Sequence, residues 1–270
     1  MRRALFGAVF GLAGLALFAS PAQGSTIVGF DGGAGFASNG AAVFSGNSVQ
    51  LASGALAQAS SAFATAKLDV TRFAVAFDYT AAAGVGAADG VTFTIQNSAA
   101  GAAALGSAGG GLGYGGIANS VAFQINLLNA LAGARGIAVN ANGLTAQNVG
   151  GTAYQSTGPL QLLGQAIHVE LTYDGSTLTQ TLSAGAQTFT TTTAVDILAL
   201  VGAADAFVGF TGATGFESST QTVSNFTFET LTAAFDVGGP ALDSPVPTPL
   251  PLGAWAGLAL GAMVVARRRA

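Results

Sequence analysis

Short segments in which large apolar residues alternate with small or polar ones constrain the fold of this chain most strongly. Residues 70–79 place four large side chains on one side of an extended chain: Phe73, Val75, Phe77 and Tyr79. A period of two is typical of a β-strand, whose successive side chains point to opposite faces. No long amphipathic helix is visible. The sequence therefore predicts an all-β, antiparallel sandwich or barrel.

The same alternation, with turn signals between the segments, sets the other strand predictions. We expect a hairpin turn at Asp174 and Gly175 and one short helical turn, ended by a glycine, within residues 195–202. The predicted strands are residues 26–30, 43–44, 48–51, 70–79, 91–97, 121–126, 136–142, 165–174, 177–182, 189–193, 206–213 and 222–229.

Charge and cysteine content exclude several classes of function. Outside the two termini the basic residues are Lys67, Arg72 and Arg135, against twelve acidic residues, which gives a net charge of −9. A body this acidic repels nucleic acids and anionic membrane surfaces, so we expect no nucleic-acid partner. Cysteine is absent, which excludes disulfides, thiolate metal ligands and a cysteine nucleophile.

The N-terminus, residues 1–24, has the pattern of a signal peptide. Arg2 and Arg3 precede an apolar run over residues 4–19, and small residues follow at 22–24. A retained membrane anchor is the alternative, but the run is short and ends in Pro21. We expect export and removal of this segment, with a folded domain over residues 25–231.

The C-terminus reads as a spacer followed by a membrane segment. Residues 232–249 are rich in proline and glycine and predict a flexible spacer. Residues 250–266 carry no charge, and Arg267, Arg268 and Arg269 follow. This run is at the lower length limit for a bilayer span, and the arginines suit its cytoplasmic end. The alternative is a C-terminal helix packed on the domain.

A glycine-rich segment leads into an alternating strand within residues 109–129. Glycines let a backbone approach a neighbour closely, and the strand places Gln124 and Asn126 on one face. Two interpretations stay open from these residues alone. The segment is either the floor of a site for a polyhydroxylated ligand or a glycine-rich connection beside an ordinary half-buried strand.

Five stretches, in order along residues 25–231, together resemble a legume-type (L-type) lectin domain. They are residues 89–97, 109–126, 168–175, 195–198 and 207–228. The resemblance implies a concanavalin A-like jelly roll that binds sugars without catalysis. The C-terminus, with VPTPLPLG, an apolar run and RRR, resembles bacterial PEP-CTERM or VPLPA-CTERM sorting signals. That resemblance implies a Gram-negative cell surface, an exosortase-type sorting machinery, and transient or permanent anchoring in the inner membrane.

The lectin resemblance also implies a sugar site. In the family, an aspartate preceded by a cis peptide, a loop glycine amide and a metal-held asparagine bind the sugar. Asp89 matches the aspartate, so the Ala88–Asp89 peptide is expected to be cis, and the loop 215–218 closes the site. The predicted carbohydrate-binding residues are Asp89, Gly113, Asn126, Asn129, Phe216 and Glu217.

The metal site of the family is degenerate here. Gln124 and Asn126 stand where the family has glutamate and aspartate, Asn129 lies near the ligand asparagine, and residues 127–135 contain no acid. Calcium takes several oxygen ligands, mostly from carboxylates. We therefore expect no metal cofactor, with calcium as the less favoured alternative and the guanidinium of Arg135 as a replacement for the cation.

These features predict an exported surface or matrix protein that reversibly binds a glycan or exopolysaccharide. A structural surface or biofilm-matrix protein with a degenerate sugar site is the alternative, and a glycoside hydrolase on the same fold is a more distant one. Catalysis is disfavoured because His168 is the only histidine and because the best-placed strand lacks the closely spaced carboxylates of sandwich-fold glycosidases.

Overall fold

The computed structural model describes residues 26–128, 135–147 and 150–231. The chain divides into two compact units, residues 1–233 and 234–270, and every described residue belongs to the first. The predicted signal peptide, the spacer, the C-terminal segment and Asn129 lie outside the described residues. Within those ranges, no helix is long and apolar enough to cross a bilayer.

Two antiparallel sheets pack face to face, as predicted. The first has the order β13-β12-β11-β7-β15-β4-β3 with β1 beside β15, and the second has the order β10-β9-β8-β14-β5-β2 with β6 beside β14. The strands are β1 Thr26–Val28, β2 Phe36–Gly40, β3 Val43–Ser45, β4 Ser48–Ser53, β5 Ala59–Ala64, β6 Leu68–Asp69, β7 Phe73–Ala83, β8 Gly90–Gln96, β9 Ser120–Asn126, β10 Gly136–Ala141, β11 Ala166–Tyr173, β12 Thr177–Ala184, β13 Gln187–Ala194, β14 Asp205–Ala213 and β15 Ser219–Thr230.

Phenylalanines from both sheets form the centre of the core. Phe210 of β14 meets Phe77 of β7 and Phe226 of β15 edge-on, with ring centroids 4.9 Å apart in both pairs. Edge-to-face rings at this spacing add to the stabilisation from their buried area. The alternation in β7 is confirmed: the large residues of this strand are buried between the sheets, and Ala74 and Ala76 face outward.

Every predicted strand is present, and the short helical turn is α1, Ile197–Val201. Asp196 caps α1 by accepting a hydrogen bond from the Ala199 N–H at 2.9 Å, and Gly202 ends it in a left-handed conformation. Three strands, β2, β5 and β6, were not predicted. In β5, Ser60 and Ser61 are buried and their hydroxyls donate to backbone carbonyls, so no apolar–polar alternation marks the strand.

Phe210→Ala should lower the free energy of unfolding by about 3–5 kcal/mol, because it removes a ring that is packed from both sheets. Val43→Ala, at a residue that is 59% exposed, serves as the control and should change it by less than about 0.5 kcal/mol. Guanidinium denaturation measures both values. A loss below about 1 kcal/mol for Phe210→Ala would contradict the packing described for these rings.

Candidate functional site

Asp89 lies at one end of the sandwich, where strands of the second sheet begin and end. It directly precedes β8, whose first residue, Gly90, pairs with Asn126 at the end of β9 and with Ala213 at the end of β14. The Asp89 N–H donates to the Ala213 carbonyl at 3.0 Å, and its carbonyl accepts from the Leu127 N–H at 2.7 Å. The backbone of Asp89 is therefore fixed between two strand ends.

The Ala88–Asp89 peptide is cis, which confirms the prediction from the lectin resemblance. The Ala88 carbonyl accepts from the Ser219 hydroxyl at 2.7 Å and from the Gln221 side-chain amide at 3.2 Å. Gly90 follows with φ of +144°, and a Cβ there would lie 2.0 Å from the Ile125 carbonyl oxygen. Only glycine therefore fits where the chain enters β8.

The Asp89 carboxylate is buried with a vacant acceptor. The residue is only 3% exposed, and its Oδ2 has no hydrogen-bond partner among the residues that the structure describes. The atoms over Oδ2 belong to glycines: a Cβ on Gly215 would lie 3.0 Å from it, and one on Gly109 would lie 4.0 Å from it. A glycine backbone thus covers this carboxylate where any other residue would add a side chain.

The charge of Asp89 interacts with two neighbouring ionisable groups. Burial first, and then the charge of Glu217, raise the pKa of the Asp89 carboxyl from its ordinary value of 3.8 to about 6. Glu217 is exposed, and its Oε2 accepts from the Ala87 N–H at 3.0 Å. Burial and then the charge of Asp89 raise the pKa of Tyr154, which places this ring near the site. Sequence reasoning missed Tyr154, because no motif surrounds it.

Gly113 does not offer the amide that the resemblance implied. Its N–H already donates to the Ser107 carbonyl at 2.9 Å, and a Cβ there would lie 2.7 Å from the carbonyl oxygens of Ser60 and Gly212. The residue is packed inside the glycine loop, 106–115, and its donor is in use. Gly109, beside the Asp89 carboxylate, also donates its N–H within the protein, to the Thr214 carbonyl at 3.0 Å.

Gln124 and Asn126 are fully buried, so they form no open floor for a ligand. The Gln124 amide donates to the Leu144 carbonyl at 2.9 Å, and its oxygen accepts from Asn140 at 3.0 Å and from the Tyr154 hydroxyl at 3.3 Å. Asn126 donates to the Leu128 carbonyl and accepts from Gln147 at 2.6 Å. We call these two hydrogen-bonded sets, Gln124 with Asn140 and Tyr154 and Asn126 with Gln147, the amide network.

The amide network does not fit the calcium that the lectin resemblance implies. Its side-chain oxygens at Gln124 and Asn126 already accept hydrogen bonds, and neither carries a charge. Within the described ranges no three acidic, histidine or cysteine side chains are grouped so as to hold a metal. Arg135 donates to the Leu127 carbonyl at 2.7 Å, and in the described residues no hydrogen bond joins its guanidinium to Gln124 or Asn126. The absence of a metal cofactor stays a prediction, which this hydrogen bonding supports.

Comparison with known proteins identifies the architecture. No protein-family model matches the chain, and no curated protein sequence matches it. Among solved structures, a lectin from Bauhinia forficata in complex with GalNAc has 18% identity and a TM-score of 0.63, covering 78% of this chain and 99% of that one. Winged bean acidic lectin complexed with methyl-α-D-galactose has 15% identity and a TM-score of 0.65, covering 78% and 100%. The chain has the legume-lectin fold.

Another structure of this legume-lectin fold is arcelin-5, a lectin-like defense protein from Phaseolus vulgaris. It has 16% identity and a TM-score of 0.64, and the match covers 78% of this chain and all of that one. The resemblance drawn from the sequence is thus confirmed for the fold of the described domain. The bacterial origin and the sorting signal stay predictions.

Asp89→Asn should raise the free energy of unfolding at pH 7.5 by about 2–3 kcal/mol, since each pKa unit corresponds to about 1.4 kcal/mol. The pKa of Asp89 is higher in the folded than in the unfolded chain, so its contribution to stability is intact below pH 3.8 and is lost as the pH rises through about 6. At pH 4 the variant and the wild type should be nearly equal. Urea denaturation at both pH values measures the difference.

Asp205→Asn is the matched control for Asp89→Asn. It makes the same change of charge at an exposed residue at the opposite end of β14, and it should have little effect at either pH. A lower stability of Asp89→Asn than of wild type at pH 7.5 would show that the buried carboxylate has a favourable partner, and it would contradict the geometry described here.

Chelator treatment and added calcium should both leave the thermal unfolding midpoint unchanged, because the amide oxygens already have donors. Gln124→Leu should instead lower the free energy of unfolding by about 2–3 kcal/mol, since it leaves the Asn140 amide and the Leu144 carbonyl without this partner. Gln161→Leu, at an exposed glutamine, is the control. A midpoint that rises by several degrees with calcium would contradict the metal-free prediction.

Proposed function

We propose that this chain is a non-enzymatic glycan-binding protein whose ligand contacts the Asp89 end of the sandwich. The buried Asp89 carboxylate carries the proposal, because its Oδ2 has no hydrogen-bond partner among the described residues. Burying a charge without a partner is costly, and a domain with no use for the charge would be more stable with an amide there. An ionised carboxylate accepts several hydrogen bonds, which suits the paired hydroxyls of a sugar.

Three exposed apolar side chains lie on loops at this end of the sandwich and support the proposal. Leu56, Val85 and Phe216 are 50%, 64% and 101% exposed. Their loops are joined by hydrogen bonds: the Ala57 N–H donates to the Gly215 carbonyl, and the Ser218 N–H donates to the Val85 carbonyl. Exposed aromatic and aliphatic groups beside a few polar ones are typical of ligand sites, and such groups can cover the C–H face of a sugar ring.

Access to Oδ2 of Asp89 requires the two loops over it to separate. The glycine loop and residues 214–218 meet over Oδ2, where the Gly109 N–H donates to the Thr214 carbonyl at 3.0 Å. The surfaces in contact are Gly109 and Gly215, so no side chain has to leave the site. In this proposal a sugar hydroxyl replaces the glycine backbone as the neighbour of the carboxylate.

The setting is also part of the proposal. Export through the N-terminal segment and sorting through the C-terminal one would place many copies on a cell surface or in a matrix. A single site with few polar contacts would bind a monosaccharide with a Kd on the order of 1 mM, about −4 kcal/mol. Many copies facing one polysaccharide would give useful avidity.

A glycan array with the full-length chain tests the proposal. Asp89→Ala should abolish binding, and Phe216→Ala should weaken it about tenfold without loss of stability, because the ring is fully exposed. Asp205→Asn should bind like wild type.

Two other outcomes would overturn the proposal. No binding to any glycan would favour a structural surface protein with a degenerate sugar site. Release of reducing ends from a bound polysaccharide would favour a glycoside hydrolase, for which Asp89 and Glu217 would be the candidate carboxylate pair.

A further inference from the structure

We infer that this site prefers glycans that carry a protonated primary amine, such as a de-N-acetylated hexosamine, over neutral, N-acetylated or acidic glycans. This inference rests on the proposed function, because it names the ligand class of the same site. Its starting point is the negative charge of Asp89, which has no positively charged partner among the described residues.

Two carboxylates meet at the loops around the site. Oδ2 of Asp89 has no hydrogen-bond partner among the described residues, and only 3% of the residue's surface is exposed to solvent. Glu217 follows closely on Gly215, the glycine that covers Oδ2, and its Oε2 accepts from the N–H of Ala87, two residues before Asp89. The two negative charges repel each other, so the site attracts a cation.

The basic side chains of the described ranges are engaged elsewhere. Lys67 places its Nζ over the Phe207 ring, 5.3 Å from the centroid. Arg72 lies beside the Asp174 turn, where backbone hydrogen bonds from Thr177 and Ser176 lower the pKa of that carboxyl and the charge of Arg72 contributes. Arg135 donates to the Leu127 carbonyl. His168 lies on the outer face of the first sheet, 2.7 Å from Asp78. Each basic side chain of the described ranges thus has another partner, and in this inference a ligand supplies the positive charge beside Asp89.

An ammonium group matches this site better than a hydroxyl does. It carries three N–H donors and no acceptor, and its hydrogen bonds to a carboxylate are charge-assisted and stronger than neutral ones. N-acetylation removes both the charge and most of the donors. A uronic acid adds a third carboxylate to the pair, and like charges placed together oppose binding.

The experiment compares three matched hexasaccharides by titration calorimetry with the full-length chain. The ligands are a glucosamine hexamer, its fully N-acetylated form and a glucose hexamer with the same linkage, at pH 6.5, just above the pKa of Asp89. The glucosamine hexamer should bind at least tenfold more tightly than either other ligand, which corresponds to about 1.4 kcal/mol. The preference should shrink as salt is added, because Glu217 is exposed to screening.

Three variants separate site binding from attraction to an acidic surface. Asp89→Asn and Glu217→Gln should each remove most of the preference, while Asp205→Asn, which changes the net charge equally, should retain it. Equal losses in all three variants would mean a non-specific charge effect and would overturn the inference. Equal binding of the three hexamers would overturn the inference and leave the proposed function standing. No binding of any glycan would overturn both.

Discussion

The two backbone hydrogen bonds of Asp89 are the constraint on which the candidate site depends. They join its N–H to the end of β14 and its carbonyl to the residue after β9. A side chain held by its own backbone at two strand ends keeps its position even when it has no hydrogen-bond partner of its own. The fold can therefore hold a carboxylate where burial disfavours its charge, which is the kind of group that the proposed glycan site requires.

The amide network connects the second sheet to the glycine loop through hydrogen bonds alone. It joins β9 and β10 to the loop around Leu144, and the Thr145 hydroxyl of that loop donates to the Gly110 carbonyl at 2.8 Å. The connection therefore runs from the interior of the second sheet to the glycine loop beside Asp89. Neutral amides with satisfied donors and acceptors avoid the cost of burying unpaired carboxylates. Because the members of this connection are neutral and already hydrogen-bonded, it supports the prediction that the domain needs no cation.

The sequence predicted the sandwich well because a strand with one buried face has apolar residues at every second position, as β7 and β11 do. It missed β5, where small residues and serines are buried on both faces and alternation disappears. It also predicted the cis peptide and the position of Asp89, which are local and follow from the lectin resemblance.

The partners of the site were less predictable. The internal use of the Gly113 N–H and the approach of Tyr154 depend on how loops distant in the sequence fold over one another. A pattern in one stretch of residues carries no record of such contacts.

Gln221 links the two sheets beside Asp89. Its side-chain amide, on β15 of the first sheet, donates both to the Ala88 carbonyl and to the Ala213 carbonyl of the second sheet, the latter at 2.9 Å. Ala213 also accepts the N–H of Asp89. The Asp89 end of the sandwich therefore lies where the two sheets join, and any sliding of one sheet against the other would disturb it. Deuterium uptake at the Asp89 amide would then report global opening of the domain, while the exposed tip at Phe216 exchanges freely.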